Sequence, residues 1–346
     1  MAARGHHVTL ACAETGPLAG ELHDVRLRVL LAKGVKRRFS PLYAHRLAVL
    51  CRAENFDLVH AHLFASTVAT ATALRDASEP LIVTEHTEGV WQSDADRLLL
   101  ARALRRAHAA IAVSEPIAER MRNGLGVTVE RVHCILNAVH AFRHGQRLER
   151  ERMIGMVGRL AAEKGADTFL RAVAQVAPVV PNVRFVVVGY GSASPELQLL
   201  ARRLRIGNRV DFLGSMTDAR DLISRLAVLS VPSRTEGTPL VVLEGMEAGT
   251  PVVASRVGGV ANQITTGVDG TLVRFDDEHA HAQAWLDLLR YPRRAKIMAE
   301  RAREGGPHRA YASMVDRVEA LYRSASESTC DDTGACRSPH SPLPIP

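Results

Sequence analysis

The sequence predicts an α/β protein of two consecutive domains, each a parallel sheet with helices between its strands. Three observations lead there. Short apolar runs recur at 57–62, 81–84, 110–113, 153–157, 185–188, 210–213, 227–231, 252–254 and 271–273, with helix-forming stretches between them. That alternation marks strands joined by crossover helices, the arrangement of a Rossmann-like domain. A polar, basic stretch without periodicity at 140–152 reads as a linker dividing the series, and 346 residues are enough for two separate cores.

In the first half, the opening Met-Ala-Ala-Arg-Gly reads as the last turn of a helix with Gly5 as its stop, followed by a strand over 7–11. Between Asp24 and Glu54 there is no acid, but Arg26, Arg28, Lys33, Lys36, Arg37, Arg38, Arg46 and Arg52 are present. Such a run is most often a solvated face; the sharper reading is an acceptor-side surface resting on anionic lipid, where each basic residue contributes on the order of 1 kcal/mol. Nucleic acid is a poorer fit, because only Phe39 and Tyr43 could stack on bases. The run at 57–62 ends in His60 and His62 and leads to a helix over 67–74. The next strand delivers Glu85, His86 and Thr87 at its carboxyl end, where open α/β sheets keep their ligands. Asp94 and Asp96 stand at a helix start, where acids meet the helix dipole, which argues against a metal-binding pair.

In the second half, Gly158-Arg159-Leu160 and Glu163-Lys164-Gly165 follow a strand. An arginine and a lysine five apart on such a loop can converge on one diphosphate. Gly189-Tyr190-Gly191 begins like a dinucleotide fingerprint, but Ser194 stands in place of the third glycine and Asp211 opens its strand instead of closing it. Both departures argue against nicotinamide chemistry. Residues 232–264 hold the densest chemistry. A polar turn over 233–237 precedes Thr238, a good N-cap, and Pro239, suited to the first helical position of a helix over 239–248. Such a helix start offers unpaired N–H groups and partial positive charge to a phosphate. Glu236 precedes that start, Glu244 lies one and a half turns into the helix, and Leu240 and Leu243 are expected to dock it on the sheet. Acids bracketing an anion site would repel the anion itself, so each is expected to grip hydroxyls of a sugar or ribose. Later helices are expected over 278–289, 295–303 and, as a final amphipathic one, 311–322.

Composition bounds the rest. Apolar content of 47% and charged content of 23% are those of an ordinary soluble globular protein. No apolar run reaches the roughly 18 residues a membrane-spanning helix needs, and the start lacks a signal peptide's apolar stretch, so a cytoplasmic location is expected. Five scattered cysteines fit a reducing compartment. A net charge of +7 favours anionic partners.

Glu236 and Glu244, inside Glu-Gly-Thr-Pro-Leu-Val-Val-Leu-Glu and followed by Gly-Thr-Pro-Val-Val-Ala-Ser and Gly258-Gly259, resemble the signature of the retaining, GT-B-fold glycosyltransferases of family 4. The resemblance covers roughly residues 3–325 and implies two Rossmann-like domains facing across a cleft. It implies an acceptor-side domain at 1–139, the linker at 140–152, a donor domain at 153–306, a helix at 307–325 crossing back to the first domain, and a disordered tail at 326–346. By the same resemblance Arg159, Lys164 and the helix start at Thr238, Pro239 and Leu240 neutralise the leaving diphosphate in place of a metal ion. Glu236 holds donor-sugar hydroxyls, Glu244 the ribose, and His86 reaches the sugar from the other domain. Gly158, flanking Arg159, and Gly189 with Gly191 let the backbone approach the nucleotide. The donor would be a UDP- or GDP-sugar, the acceptor a saccharide or lipid-linked intermediate, and no cofactor or nucleic acid is involved. Asn262 departs from the pattern where glutamate is usual, and Ala138 where glycine is. The family's first strand and glycine-rich loop have no counterpart here, which implies a loosened first domain. A nucleotide-sugar epimerase of the same fold, an NAD-dependent oxidoreductase and a nucleotide-sugar-binding remnant are the alternatives.

Overall fold

The computed structural model describes residues 1–12, 25–29, 40–89, 93–140, 150–305 and 311–331. Lys33, Lys36, Arg37 and Arg38 of the basic run, most of the linker and the end of the tail lie outside the described residues. The chain divides into two compact units. One comprises 1–112, 117–135 and 315–346, and the other 113–116 and 136–314.

The first unit opens with a 3-10 turn over Ala2–Arg4, closed by Gly5 at φ 87°, as the glycine stop predicts. β1 (Val8–Cys12) and β2 (Val25–Val29) pair in parallel as a two-stranded sheet. Arg26 and Arg28 of β2 reach Glu54 at the end of α1 (Pro41–Glu54), at 3.1 and 2.9 Å. Ser40 caps α1 by accepting from the Tyr43 amide. Then follow β3 (Val59–His62), α2 (Leu63–Ala73), β4 (Leu81–Glu85), α3 (Asp94–Arg106), β5 (Ala109–Ala112), α4 (Glu115–Glu119) and β6 (Val132–Cys134). β3 to β6 form a second parallel sheet in chain order, and the fully buried β4 and β5 occupy its middle. Asp96 closes a capping box with Ser93 at the start of α3, so that acid pair serves the helix start.

The second unit is one six-stranded parallel sheet. Its elements are β7 (Met153–Val157), α5 (Ala166–Val176), β8 (Arg184–Val188), α6 (Ser194–Arg203), β9 (Val210–Gly214), α7 (Arg220–Arg225), β10 (Val228–Val231), α8 (Leu240–Glu247), β11 (Val252–Ser255), α9 (Val260–Gln263), β12 (Thr271–Val273), α10 (Glu278–Arg290) and α11 (Pro292–Glu304). Strand order is β12-β11-β10-β7-β8-β9. The two-residue period of β8 sends Phe185 and Val187 into a core with Phe169 and Trp285, and Val186 and Val188 into another with Val242 and Met246. Burial on both faces explains why its strands read as unbroken apolar runs.

The last helix, α12 (Tyr311–Asp331), runs past the expected end at 322 and into the expected tail at 326–346, whose residues 332–346 lie outside the described residues. Residues 324–331 contain no glycine or proline to stop it, Arg323 pairs with Glu319 one turn back at 2.9 Å, and the Ser326 hydroxyl donates to the Tyr322 carbonyl. From Val315 onward α12 belongs to the first unit, where Glu319 receives Arg4 at 2.6 Å and lies 3.1 Å from His6. Arg4, then His6 and Arg323, hold the Glu319 carboxyl down at about 2. No described helix is long and apolar enough to cross a membrane.

Candidate functional site

Strand order decides where a ligand site forms in the second unit. β7 lies between β8 and β10, so chain order runs outward from the β7–β10 boundary in both directions. Open α/β sheets bind ligands at such a reversal, beyond the carboxyl ends of the strands. The loop leaving β7 carries Arg159, Glu163 and Lys164, and the loop leaving β10 carries Ser233, Arg234 and Glu236.

These loops meet through Lys164 and Glu236. The Lys164 ammonium donates to both carboxylate oxygens of Glu236, at 2.7 and 2.8 Å, and the Ser233 hydroxyl donates to Oε1 at 2.7 Å. The Glu236 side chain is 8% exposed and that of Lys164 25%. The sequence assigns these residues to different parts of a ligand, and the structure makes them partners of each other.

Two features lock the loops together. Arg234 donates its backbone N–H to the Glu163 carbonyl at 2.8 Å, grips both oxygens of Asp167 at 2.9 and 2.8 Å, and reaches the Ala162 carbonyl and Asp276. Burial is the largest single influence on the Asp167 carboxyl and pushes it upward, but the bond and charge of Arg234, with the backbone amides of Asp167 and Thr168, together leave the group below the usual range. Gly165 approaches Pro232 so closely that a Cβ there would stand 1.9 Å from the Pro232 carbonyl oxygen, and its φ of 66° also suits glycine. Arg234 was not singled out from sequence, because an arginine beside a turn reads as a solvated residue.

The other predicted residues are placed differently. Arg159 pairs with Glu163 at 2.6 Å with 67% of its side chain exposed, a surface pair of small energetic weight. Gly189 and Gly191 serve loop packing: a Cβ on Gly189 would meet the Gly158 carbonyl oxygen at 1.8 Å, and one on Gly191 the Leu160 carbonyl oxygen at 2.2 Å. The neighbouring loop by itself therefore requires glycine at both positions. Pro239, not Thr238, is the N-cap of α8, because the extended ψ of 123° at Pro239 delays the helix to Leu240. The Thr238 hydroxyl donates instead to the Val113 carbonyl, and its own carbonyl accepts from Asn137 at 3.0 Å. Leu240 is 48% exposed, and Val242, Leu243 and Met246 dock α8 in its place. Burial raises the Glu244 carboxyl, while Arg220 pulls it down and Asp218 pushes it up. Asp211 is tied to Arg184 at 3.0 Å, not placed at a strand end as a ribose ligand would be.

In the first unit, the carboxyl ends of β3 and β4 gather three imidazoles. His62 Nδ1 and His86 Nε2 are 3.0 Å apart, so one donates to the other, and the His60 ring stacks on His62 at 4.3 Å. His60 is held by the Tyr322 hydroxyl at 2.6 Å and the Thr84 hydroxyl at 2.7 Å. Burial, then the neighbouring His62, lowers His86 to about 4, and burial with both other imidazoles lowers His60 to about 3. All three are neutral near pH 7. The chain turns immediately after His62 through Leu63, which adopts a left-handed φ of 68°, a strained conformation for leucine. Next to His86, Glu85 is 1% exposed and its Oε1 lacks a hydrogen-bond partner among the described residues. Burial pushes its carboxyl up to about 7, against the pull of Arg120. Among the described residues no group of three or more His, Cys, Asp or Glu side chains could hold a metal ion.

Comparison with known proteins agrees with this architecture. Residues 140–305 match the family described as glycosyl transferases group 1, and residues 1–142 match glycosyltransferase family 4. The D-inositol 3-phosphate glycosyltransferase 1 of Catenulispora acidiphila is 30% identical over 306 residues, covering 79% of this chain and 73% of that protein. The chain belongs to the group 1 glycosyltransferases. The D-inositol 3-phosphate glycosyltransferase of Mycobacterium marinum is 33% identical over 292 residues, covering 78% of this chain but 58% of its own length. Two solved structures establish the GT-B fold of this family member. A sucrose-phosphate synthase from Thermosynechococcus elongatus superposes with a TM-score of 0.81 at 21% identity, covering 94% of this chain and 91% of that one. Anabaena Alr3699/HepE in complex with UDP gives 0.73 at 20% identity, covering 95% and 94%.

Proposed function

We propose that this glycosyltransferase moves a sugar from a UDP- or GDP-sugar to a hydroxyl acceptor with retention of configuration and without a metal ion. The observation that carries this reading is the Lys164–Glu236 pair at the β7–β10 reversal, a cation for a diphosphate touching a carboxylate for sugar hydroxyls. Lys164, Arg159 and the start of α8 supply the positive charge that a metal would otherwise bring to the departing diphosphate. Glu244, half-buried in α8, takes the ribose. The leaving phosphate takes the acceptor's proton on the same face, so no side chain serves as general base.

The names of the relatives support a phosphorylated cyclitol as acceptor. A lipid-linked or polysaccharide acceptor is the second reading. It is favoured by α1, which displays Leu42 and Val49, 52% and 49% exposed, beside Arg52, a face suited to an anionic bilayer on the cytoplasmic side.

Thermal shift with a panel of UDP-, GDP- and ADP-sugars identifies the donor, because a ligand specific to the folded state raises the melting temperature. With that donor, transfer is expected to continue in excess EDTA and to give a product of the donor's anomeric configuration by NMR. Activity that disappears with EDTA and returns with magnesium or manganese overturns the metal-free reading, and an inverted product overturns retention.

A further inference from the structure

The Lys164–Glu236 pair has a consequence for product release that rests on the proposed role of Lys164 and goes beyond it. We infer that Glu236 discriminates the sugar-bearing donor from the nucleoside diphosphate product, by competing with the diphosphate for Lys164.

Two of the three ammonium donors of Lys164 are committed to Glu236, and the Ser233 hydroxyl supplies a further bond to that carboxylate. A diphosphate drawing on Lys164 has to take it from a carboxylate that is 8% exposed, with little water to replace what is lost. A buried carboxylate left short of its partner is costly, and its charge repels the arriving phosphates. A complete nucleotide-sugar carries the remedy with it, since its sugar hydroxyls donate to Glu236 as the ammonium turns to the diphosphate. The free nucleoside diphosphate has no such hydroxyls beyond its terminal phosphate. It therefore binds at a disadvantage that the donor escapes, and after transfer Glu236 reclaims Lys164.

The loops are built to enforce this competition. Arg234 ties the β10 loop to Ala162, Glu163 and Asp167, and the Gly165–Pro232 approach leaves no room for the loops to slide. With the loops tied in this way, an exchange of partners is the route by which the ammonium and the carboxylate separate.

Calorimetric titration of UDP and GDP, and of the nucleotide-sugar identified by thermal shift, into wild type, Glu236→Gln and Lys164→Ala tests this. Glu236→Gln keeps the shape of the side chain and removes its charge. It is expected to bind the free nucleoside diphosphate about tenfold more tightly than wild type and to lose most of the preference for the nucleotide-sugar. A loss of local structure would not produce tighter product binding. If Glu236→Gln melts well below wild type, Glu236→Ala, which also removes the charge, is expected to change product affinity in the same direction. Unchanged or weaker product binding in a folded Glu236 variant, with Lys164→Ala weakening it, overturns the competition and leaves the diphosphate role of Lys164 standing. If Lys164→Ala binds the diphosphate as well as wild type, that role fails and this inference fails with it.

Discussion

The two units use the same alternation of strand and helix and reach different degrees of closure. In the second, β7, β8, β10 and β11 each have a strand on either side and a hydrophobic layer on both faces. In the first, among the described residues, β1 and β2 form a separate two-stranded sheet in which Leu10 is 43% exposed, and β3 is paired only with β4. Parallel strands gain most when both edges are paired and both faces are covered, and two-stranded sheets are marginal by themselves. The difference teaches that hydrophobic pattern specifies a strand, while its neighbours set how firmly it is held. The charged site of the second unit is accordingly mounted on a sheet whose strands β7 and β10 are paired on both edges. The histidine group of the first stands where β3 meets the interior strand β4.

The largest expected effect comes from Phe169, which is fully buried with its ring 5.2 Å from Trp285. Phe169→Ala is expected to cost about 3–5 kcal/mol. Amide protection should collapse in β8 and persist in β4; an equal fall in both strands would mean that the units unfold together and that the contrast between them is false.

Glu85 in the first unit is next. Its folded pKa of about 7 lies above the ordinary carboxyl value of 4.5, so the carboxyl contributes full stability below about pH 4.5 and loses it as the pH climbs through 7. By pH 8 the loss amounts to roughly 3 kcal/mol. Glu85→Gln, which cannot ionise, is expected to melt higher than wild type at pH 8 and to match it near pH 4.5. A variant less stable than wild type at pH 8 would show that the ionised carboxylate is a favourable partner of Arg120.

The smallest effect is graded along the strands. Amides of β1 and β3 are expected to exchange about a hundredfold faster than those of β8, with interior β4 between them. Equal protection in β3 and β8, measured by hydrogen exchange, would remove the distinction between open and closed edges.

What the sequence by itself determined is what acts over a few residues. Apolar runs placed β7 and β12 to the residue, the glycine at position 5 stopped the opening turn as expected, and Asp94 and Asp96 were read as helix-start acids. Spacing and flanking glycines around Glu236 and Glu244 were enough to point to the family, because those residues are contiguous in the chain. The start of α8 was misread by one residue and its apolar contacts were shifted from Leu240 to Val242 and Met246, since tertiary packing sets a helix's phase. The length of α12 was missed because a serine-rich segment resembles a tail until Arg323 and Tyr322 find their partners. Only the tertiary structure decided the rest. Lys164 and Glu236 meet because β7 and β10, far apart in sequence, are neighbours in the sheet, and His62 and His86 meet because β3 pairs with β4. Gly189 yields to the Gly158 loop for the same reason. A periodicity carries the side chain's face and the chain's local geometry; it carries no information about which strand lies alongside, and the charges of this site acquire their partners from that adjacency.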